Sequence, residues 1–275
     1  DASKIEPLIT PKTKAVIPVH FGGQPCDMDE IISLAHAKGI VVIEDAAHAF
    51  PAYYKDRAVG TIGDITCFSF YVTKTLAAGE GGMAVTANAE WAAKMRSLRL
   101  HGITKDAWKR YTKEGTWEYD VTDAGFKYNT TDLNSSIALE QLKKADMLND
   151  MRAKLVAAYD AGFAGSEYII PYELKNDRRS AHHLYPLRLD LDALSIDRAQ
   201  FIKDLAAREV MTSVHFIPMY RFTYYKELGF RAEDYPSSEW VFARTLSLPL
   251  FPGMSGAEVS HVIDSVDSIC SQHAR

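Results

Sequence analysis

The chain has 275 residues, 47% of them apolar, enough to bury one or two compact cores, and no apolar run long enough for a membrane-spanning helix. Thirty-one basic against 36 acidic residues leave a net charge of −5, so nothing in the balance points to nucleic acid or to an anionic membrane as a partner. Three cysteines, Cys26, Cys67 and Cys270, lie far apart with no C-x-x-C pair and read as reduced packing residues of a cytoplasmic protein.

Residues 1–13 are polar and carry Pro7 and Pro11, so they read as the end of a loop or helix. Ala15 to Val19 is an apolar strand, broken by His20 and the turn Gly22-Gly23-Gln24-Pro25. A helix from Asp29 to Lys38 turns Ile31, Ile32, Leu34 and Ala35 towards a sheet, and Gly39 stops it. The next run, Ile40-Val-Val-Ile-Glu-Asp45, is a buried strand ending in two carboxylates. Strand, helix and strand at this spacing form a right-handed crossover in a parallel sheet. Ile65–Phe70 and Met83–Thr86 extend that sheet.

Asn88 to Leu98 is a helix whose Trp91, Met95 and Leu98 form one stripe. Arg96, Arg99, His101 and Lys105 follow as a basic cluster; it reads as a solvated face or as a group in which one cation meets a substrate phosphate. Residues 102–124 hold Trp108, Tyr111, Trp117 and Tyr119 without periodicity, as a functional loop or interface would. One long amphipathic helix is expected from about Asp132 to Phe163. Beyond it the pattern gives a strand at His182–Leu189, a helix at Ile196–Glu209 and a strand at Met211–Phe216. A last helix opens with the capping box Ser255-Gly-Ala-Glu258. The pattern divides the chain into a larger domain, 1–150, and a smaller one, 151–275.

The chemistry concentrates at two strand ends. Taken alone, Lys74 is a solvated loop lysine. Asp45, at the carboxyl end of a parallel strand, changes that reading, because open α/β sheets bind ligands there. A lysine and an acid so placed suit pyridoxal 5'-phosphate (PLP), which needs an amine to hold it and an acid for its ring nitrogen. His48 is placed to cover the ring and Ser69 to donate to the phosphate. The adjacent histidines His182 and His183 point to opposite faces of a strand, so no metal site is expected.

Several stretches in order carry a resemblance: Pro18-Val-His-Phe-Gly-Gly-Gln-Pro25, Glu44-Asp-Ala-Ala-His48, Cys67-Phe-Ser-Phe-Tyr-Val-Thr-Lys74, Gly79-Glu-Gly-Gly82, Gly125-Phe-Lys-Tyr-Asn-Thr-Thr-Asp-Leu-Asn134 and Ser247-Leu-Pro-Leu-Phe-Pro252. Together they resemble the DegT/DnrJ/StrS family of PLP-dependent sugar aminotransferases. The resemblance implies an α/β fold of the aspartate aminotransferase type (fold type I): a mainly parallel sheet flanked by helices, with a smaller C-terminal α+β domain. It makes Lys74 the Schiff-base lysine, Asp45 the ring-nitrogen partner, His48 the ring-stacking residue (many relatives carry Gln there) and Ser69 a phosphate ligand. It also implies a homodimer with the active site at its interface, where Asn129 or Lys127, Asn129 preferred, reaches the neighbouring subunit's cofactor phosphate. In relatives the segment around His215 borders the substrate pocket, though His215 itself reads first as a satisfied strand histidine.

The activity so implied moves an amino group from L-glutamate to a nucleotide-linked keto-sugar, a 4-keto-6-deoxyhexose being the commonest family substrate, for amino-sugar and surface polysaccharide (lipopolysaccharide) synthesis. PLP-dependent sugar dehydration is the alternative, in which relatives can carry histidine at the lysine position while some keep the lysine; a non-catalytic homologue is another. Family members have roughly a hundred further residues before this chain's first, including a turn that cradles the phosphate, so a truncated product is also an expectation.

Overall fold

The computed structural model describes residues 1–103 and 119–275, which form two compact units: Asp1–Asp146 with Asn176–Ala181, and Met147–Lys175 with His182–Arg275. The irregular aromatic stretch is therefore described only in part. Trp108, Tyr111 and Trp117, with Lys105 of the basic cluster, lie outside the described residues.

The first unit begins with the expected crossover. Strand β1 (Ala15–Val16) runs parallel to β2 (Val41–Asp45), with helix α1 (Met28–Ala37) between them in sequence. Met28, Ile31 and Ala35 fall on one face of α1 and bury against Ile40, Val42 and Tyr54. Gly39 ends the helix at φ 66°, and the amides of Gly39 and Ile40 return to the carbonyls of His36 and Ala35. A hairpin follows, β3 (Tyr53–Tyr54) and β4 (Arg57–Ala58), whose two-residue turn Lys55-Asp56 takes positive φ at both positions.

Strand β5 (Ile65–Ser69) adds parallel to β2, placing Thr66 opposite Glu44 and Cys67 opposite Asp45. Strand β6 (Gly82–Val85) then adds antiparallel, giving the order β1-β2-β5-β6: a mixed sheet, parallel except at this edge. Helix α2 (Ala89–Leu98) starts at Asn88, whose side chain accepts the Glu90 and Trp91 amides. Its Trp91, Met95 and Leu98 are half-buried.

The expected long helix is two helices, α3 (Asp132–Leu142) and α4 (Ala145–Gly162), separated at Lys143 and Lys144. No glycine or proline marks the break, and lysine is a good helix former, so propensity alone runs straight through it. After α4 and β7 (Ile169–Ile170), residues 176–181 belong to the first unit again. There β8 (Arg178–Arg179) pairs antiparallel with β3. Arg178 is held by Asp27 at 2.9 Å, Asp177 at 2.6 Å and the Pro25 carbonyl at 2.7 Å.

The second unit is built on β9 (Tyr185–Leu189), flanked antiparallel by β7 and by β10 (Thr245–Leu248). Helices α5 (Arg198–Ala206), α6 (Thr223–Glu227), α7 (Pro236–Arg244) and α8 (Gly256–Gln272) complete it. Its core gathers Tyr159, Leu187, Leu189, Phe201, Leu246 and Ile269, all essentially inaccessible. The capping box forms as expected: the Ser255 hydroxyl accepts the Glu258 amide, and Glu258 accepts the Ser255 amide. The strand expected at Met211–Phe216 shrinks to a single bridge between Ser213 and Ser247. That segment is largely exposed, so its apolar residues reflect a surface and not a buried strand.

Candidate active site

Alternation along β2 sends its two terminal carboxylates to opposite faces. Glu44 is fully buried and Asp45 half-buried. Asp45 is fixed through its main chain: its amide donates to the Pro18 carbonyl at 2.9 Å and its carbonyl accepts the His20 amide at 3.1 Å. Its Oδ1 accepts the Ala47 amide at 3.0 Å. Among the described residues that is its side chain's one hydrogen bond, so the carboxylate keeps acceptor capacity for a further donor.

Lys74 lies in the loop that follows β5. That loop is closed at its base, where Phe70 donates to Gly81 at 2.9 Å and accepts from Ala78 at 2.8 Å. Leu76 and Ala78 are buried, and the Thr75 hydroxyl donates to the Phe50 carbonyl. Burial lowers the pKa of the half-buried Lys74 amine, and the negative charge of Asp45 offsets part of that shift. The two groups therefore feel each other.

Ser69 ends β5 on the same face as Cys67, the residue opposite Asp45, and its Oγ accepts the Tyr71 amide at 3.3 Å. Cys67 is exposed and not a packing residue, because strand alternation turns it towards this open face; burial and Asp45 both push its thiol up. His48 is buried, three residues beyond Asp45. Its Nδ1 accepts the Gly22 amide at 3.3 Å, and its ring centroid lies 6.0 Å from that of Phe21.

Asn129 and Lys127 lie on a segment that meets the end of the Lys74 loop, where the Asn134 side-chain amide donates to the Glu80 carbonyl at 2.8 Å. Both are exposed on the segment before α3; Lys127 forms a backbone bridge to Leu100, and the Asn129 amide donates to the neighbouring Thr130 carbonyl at 3.4 Å. Arg96, Arg99 and His101 are exposed as well. His215, in the second unit, meets the Ser247 hydroxyl at 2.9 Å.

His20, Glu44 and Gly63 are not among the predicted site residues. His20 and Glu44 have no exposed surface, and the histidine Nε2 lies 2.8 Å from Glu44 Oε2. Glu44 Oε1 accepts the Gly63 amide at 2.7 Å and the Thr66 hydroxyl at 2.6 Å. Against the cost of burial, the donors from His20, Thr66 and Gly63 hold its carboxyl below the usual range. The signal was available: with Asp45 facing the site, strand alternation turns Glu44 to the buried face, where it has to find donors.

This donor set fits PLP. It offers an amine made easier to deprotonate by burial, a carboxylate with spare acceptor capacity, a serine hydroxyl and an imidazole, all near the carboxyl ends of β2 and β5. Fold and site together define a PLP-dependent transferase of fold type I. The chain belongs to the DegT/DnrJ/EryC1/StrS aminotransferase family, which it matches over residues 1–267, and it is a PLP-dependent transaminase. MJ1066 of Methanocaldococcus jannaschii, an uncharacterized protein, is 46% identical over 274 residues, 99% of this chain and 71% of that protein. The spore coat polysaccharide biosynthesis protein SpsC of Bacillus subtilis is 45% identical over 271 residues, 98% of this chain and 70% of SpsC. Among solved structures, Spr1654 of Streptococcus pneumoniae, described as a sugar aminotransferase, superposes in its PMP form with a TM-score of 0.92 at 34% identity, over 99% of this chain and 73% of that one. Its PLP form gives 0.89 at 32% identity, over 99% and 72%.

Proposed function

We propose that this chain transfers an amino group from L-glutamate to a nucleotide-linked keto-deoxysugar, of the 4-keto-6-deoxyhexose kind, in cytoplasmic amino-sugar synthesis for a surface polysaccharide. The observation that carries the reading is the half-buried Lys74 amine in the field of Asp45, at the carboxyl ends of parallel strands. The sugar is supported by the family and by the polysaccharide role in the name of SpsC. A lysine at position 74, where dehydrating relatives can carry histidine, favours amination over dehydration, although some dehydratases also keep a lysine.

When bound, PLP supplies an electron sink for a carbanion formed beside the amino nitrogen. Lys74 would hold the cofactor covalently, and its freed amine would carry the proton between the substrate Cα and the cofactor carbon C4′. That double task requires an amine that is partly neutral when free, which burial favours. Asp45 would keep the ring nitrogen protonated, His48 would pack on the ring, and Ser69 would donate its hydroxyl to the phosphate. Asn129, with Lys127 as the other candidate, reaches the phosphate of a second copy in a homodimer. Exposed Phe126, Tyr128, Leu133 and Ile137, apolar side chains beside and on α3, support such an interface.

The test is direct. The protein and Lys74→Ala are incubated with PLP, their visible spectra recorded, and the samples reduced with borohydride for peptide mass analysis. The reading expects an absorption band lost in the variant and a pyridoxyl adduct on Lys74. It further expects L-glutamate, and not L-alanine, to bleach the band and release 2-oxoglutarate. An adduct on another lysine, or bleaching by L-alanine alone, overturns the residue assignment or the donor respectively.

A further inference from the structure

Among the described residues of the first unit, the most heavily buried polar pair, His20 and Glu44, adjoins the proposed cofactor contacts. His20 Nδ1 accepts the Cys26 amide at 3.1 Å, so the ring proton sits on Nε2, which donates to Glu44 Oε2 at 2.8 Å. Glu44 thus faces three donors: His20, the Gly63 amide and the Thr66 hydroxyl. Its carboxylate pins the loop after β1 to β2 and β5. Two contacts lead from that loop into the site. The His20 amide donates to the Asp45 carbonyl at 3.1 Å, and the Gly22 amide donates to His48 Nδ1 at 3.3 Å. The second contact places the His48 proton on Nε2.

We infer that His20 and Glu44 are positioning residues that set the orientation of Asp45 and the tautomer of His48. The inference rests on the proposed cofactor roles of Asp45 and His48. Its physical basis is the donor count. A neutral amide at position 44 cannot accept from all three neighbours, because one of its two ends is itself a donor. Loss of the His20 link leaves a buried carboxylate oxygen unpaired and frees the loop that carries the Gly22 amide. Groups behind a site that orient those within it are costly to remove even though they never touch the ligand.

The two ring nitrogens of His20 can be separated by substitution. His20→Asn keeps an acceptor near Nδ1 for the Cys26 amide and loses the Glu44 donor. His20→Gln keeps a donor near Nε2 for Glu44 and loses the acceptor. The experiment uses the apo-protein, with 15N shifts of the His48 ring at neutral pH, and then PLP titration by absorbance. Wild type is expected to show a single Nε2–H tautomer at His48. His20→Asn and Glu44→Gln are expected to show mixed tautomers and about tenfold weaker PLP binding, while His20→Gln lies between them and wild type. Far-UV circular dichroism checks that each variant is folded, and only folded variants are compared. A His48 tautomer unchanged in folded His20→Asn and Glu44→Gln overturns the inference, whatever the PLP affinity. His48→Ala and Asp45→Asn test the underlying reading separately: if both bind PLP as wild type does, the cofactor roles fail, while the tautomer result still stands or falls by itself.

Discussion

The Asp45 carboxylate works against burial at Lys74. Desolvation favours the neutral amine and lowers its pKa, whereas the negative charge of Asp45 favours the ammonium and returns part of the shift. One carboxylate thus has two tasks in the proposed chemistry: it moderates the lysine in the free protein and, with PLP present, its negative charge would hold the ring nitrogen protonated. Its own side chain is lightly held, by the Ala47 amide, while its main chain is fixed on both sides.

Asp45→Asn removes the charge that favours the ammonium, so the Lys74 pKa falls further and more of the amine is neutral at a given pH. Competitive acetic anhydride labelling of the apo-protein across pH measures this. Lys74 should titrate below the ordinary lysine range, and lower again in Asp45→Asn. In the loaded enzyme the same substitution should slow proton transfer at least about a hundredfold, since the ring nitrogen loses the negative charge that holds its proton. An amine made more reactive together with an enzyme made slower separates the two tasks. An unchanged or higher Lys74 pKa in the variant would mean that Asp45 does not act on the amine.

Gly63 and Gly256 make a matched pair for stability. A Cβ on Gly63 would meet Glu44 Cγ at 2.9 Å and Oε1 at 3.0 Å, and Glu44 is locked by its three donors. Gly63→Ala should therefore cost about 1–3 kcal/mol by overpacking. Gly256, in the first turn of α8, has open space where a Cβ would sit, with no atom within 4 Å. Gly256→Ala should be neutral or stabilise by about 0.4–1 kcal/mol. Urea midpoints read both, and equal midpoints for the two variants would remove the Glu44 lock from the account.

The parts of the fold legible in the sequence are those where local pattern and burial agree. The run Ile40 to Ile43 is apolar and short, Gly39 marks the helix end before it, and Ser255 with Glu258 marks the start of α8; each forms as read. The α3–α4 break at Lys143 and Lys144 was not legible, because no local residue opposes a helix there. Pattern also failed at Met211–Phe216, where apolar residues lie on the surface. In the site, Lys74 and Asp45 stood out by residue type and place, whereas the pairing of His20 with Glu44 spans 24 residues and emerges only when β1, β2 and β5 are side by side.

The proposed homodimer makes a prediction that an isolated chain cannot meet. If Asn129 and Lys127 serve the site of a second copy, a defect in them and a defect at Lys74 lie in different chains of one site. Lys74→Ala and the double variant Lys127→Ala/Asn129→Ala are each prepared, mixed, dissociated in mild urea and allowed to reassociate. Random pairing makes half of the dimers mixed, and each mixed dimer regains one intact site of two. PLP capture should then recover to about a quarter of the wild-type level. If Asn129 and Lys127 act within their own chain, every site in the mixed dimers carries a defect, and mixing restores nothing beyond the parents. Both residues are exposed in the chain as it stands, and Asn129 spends its amide on the adjacent Thr130 carbonyl at 3.4 Å, a weak contact that a phosphate oxygen can replace.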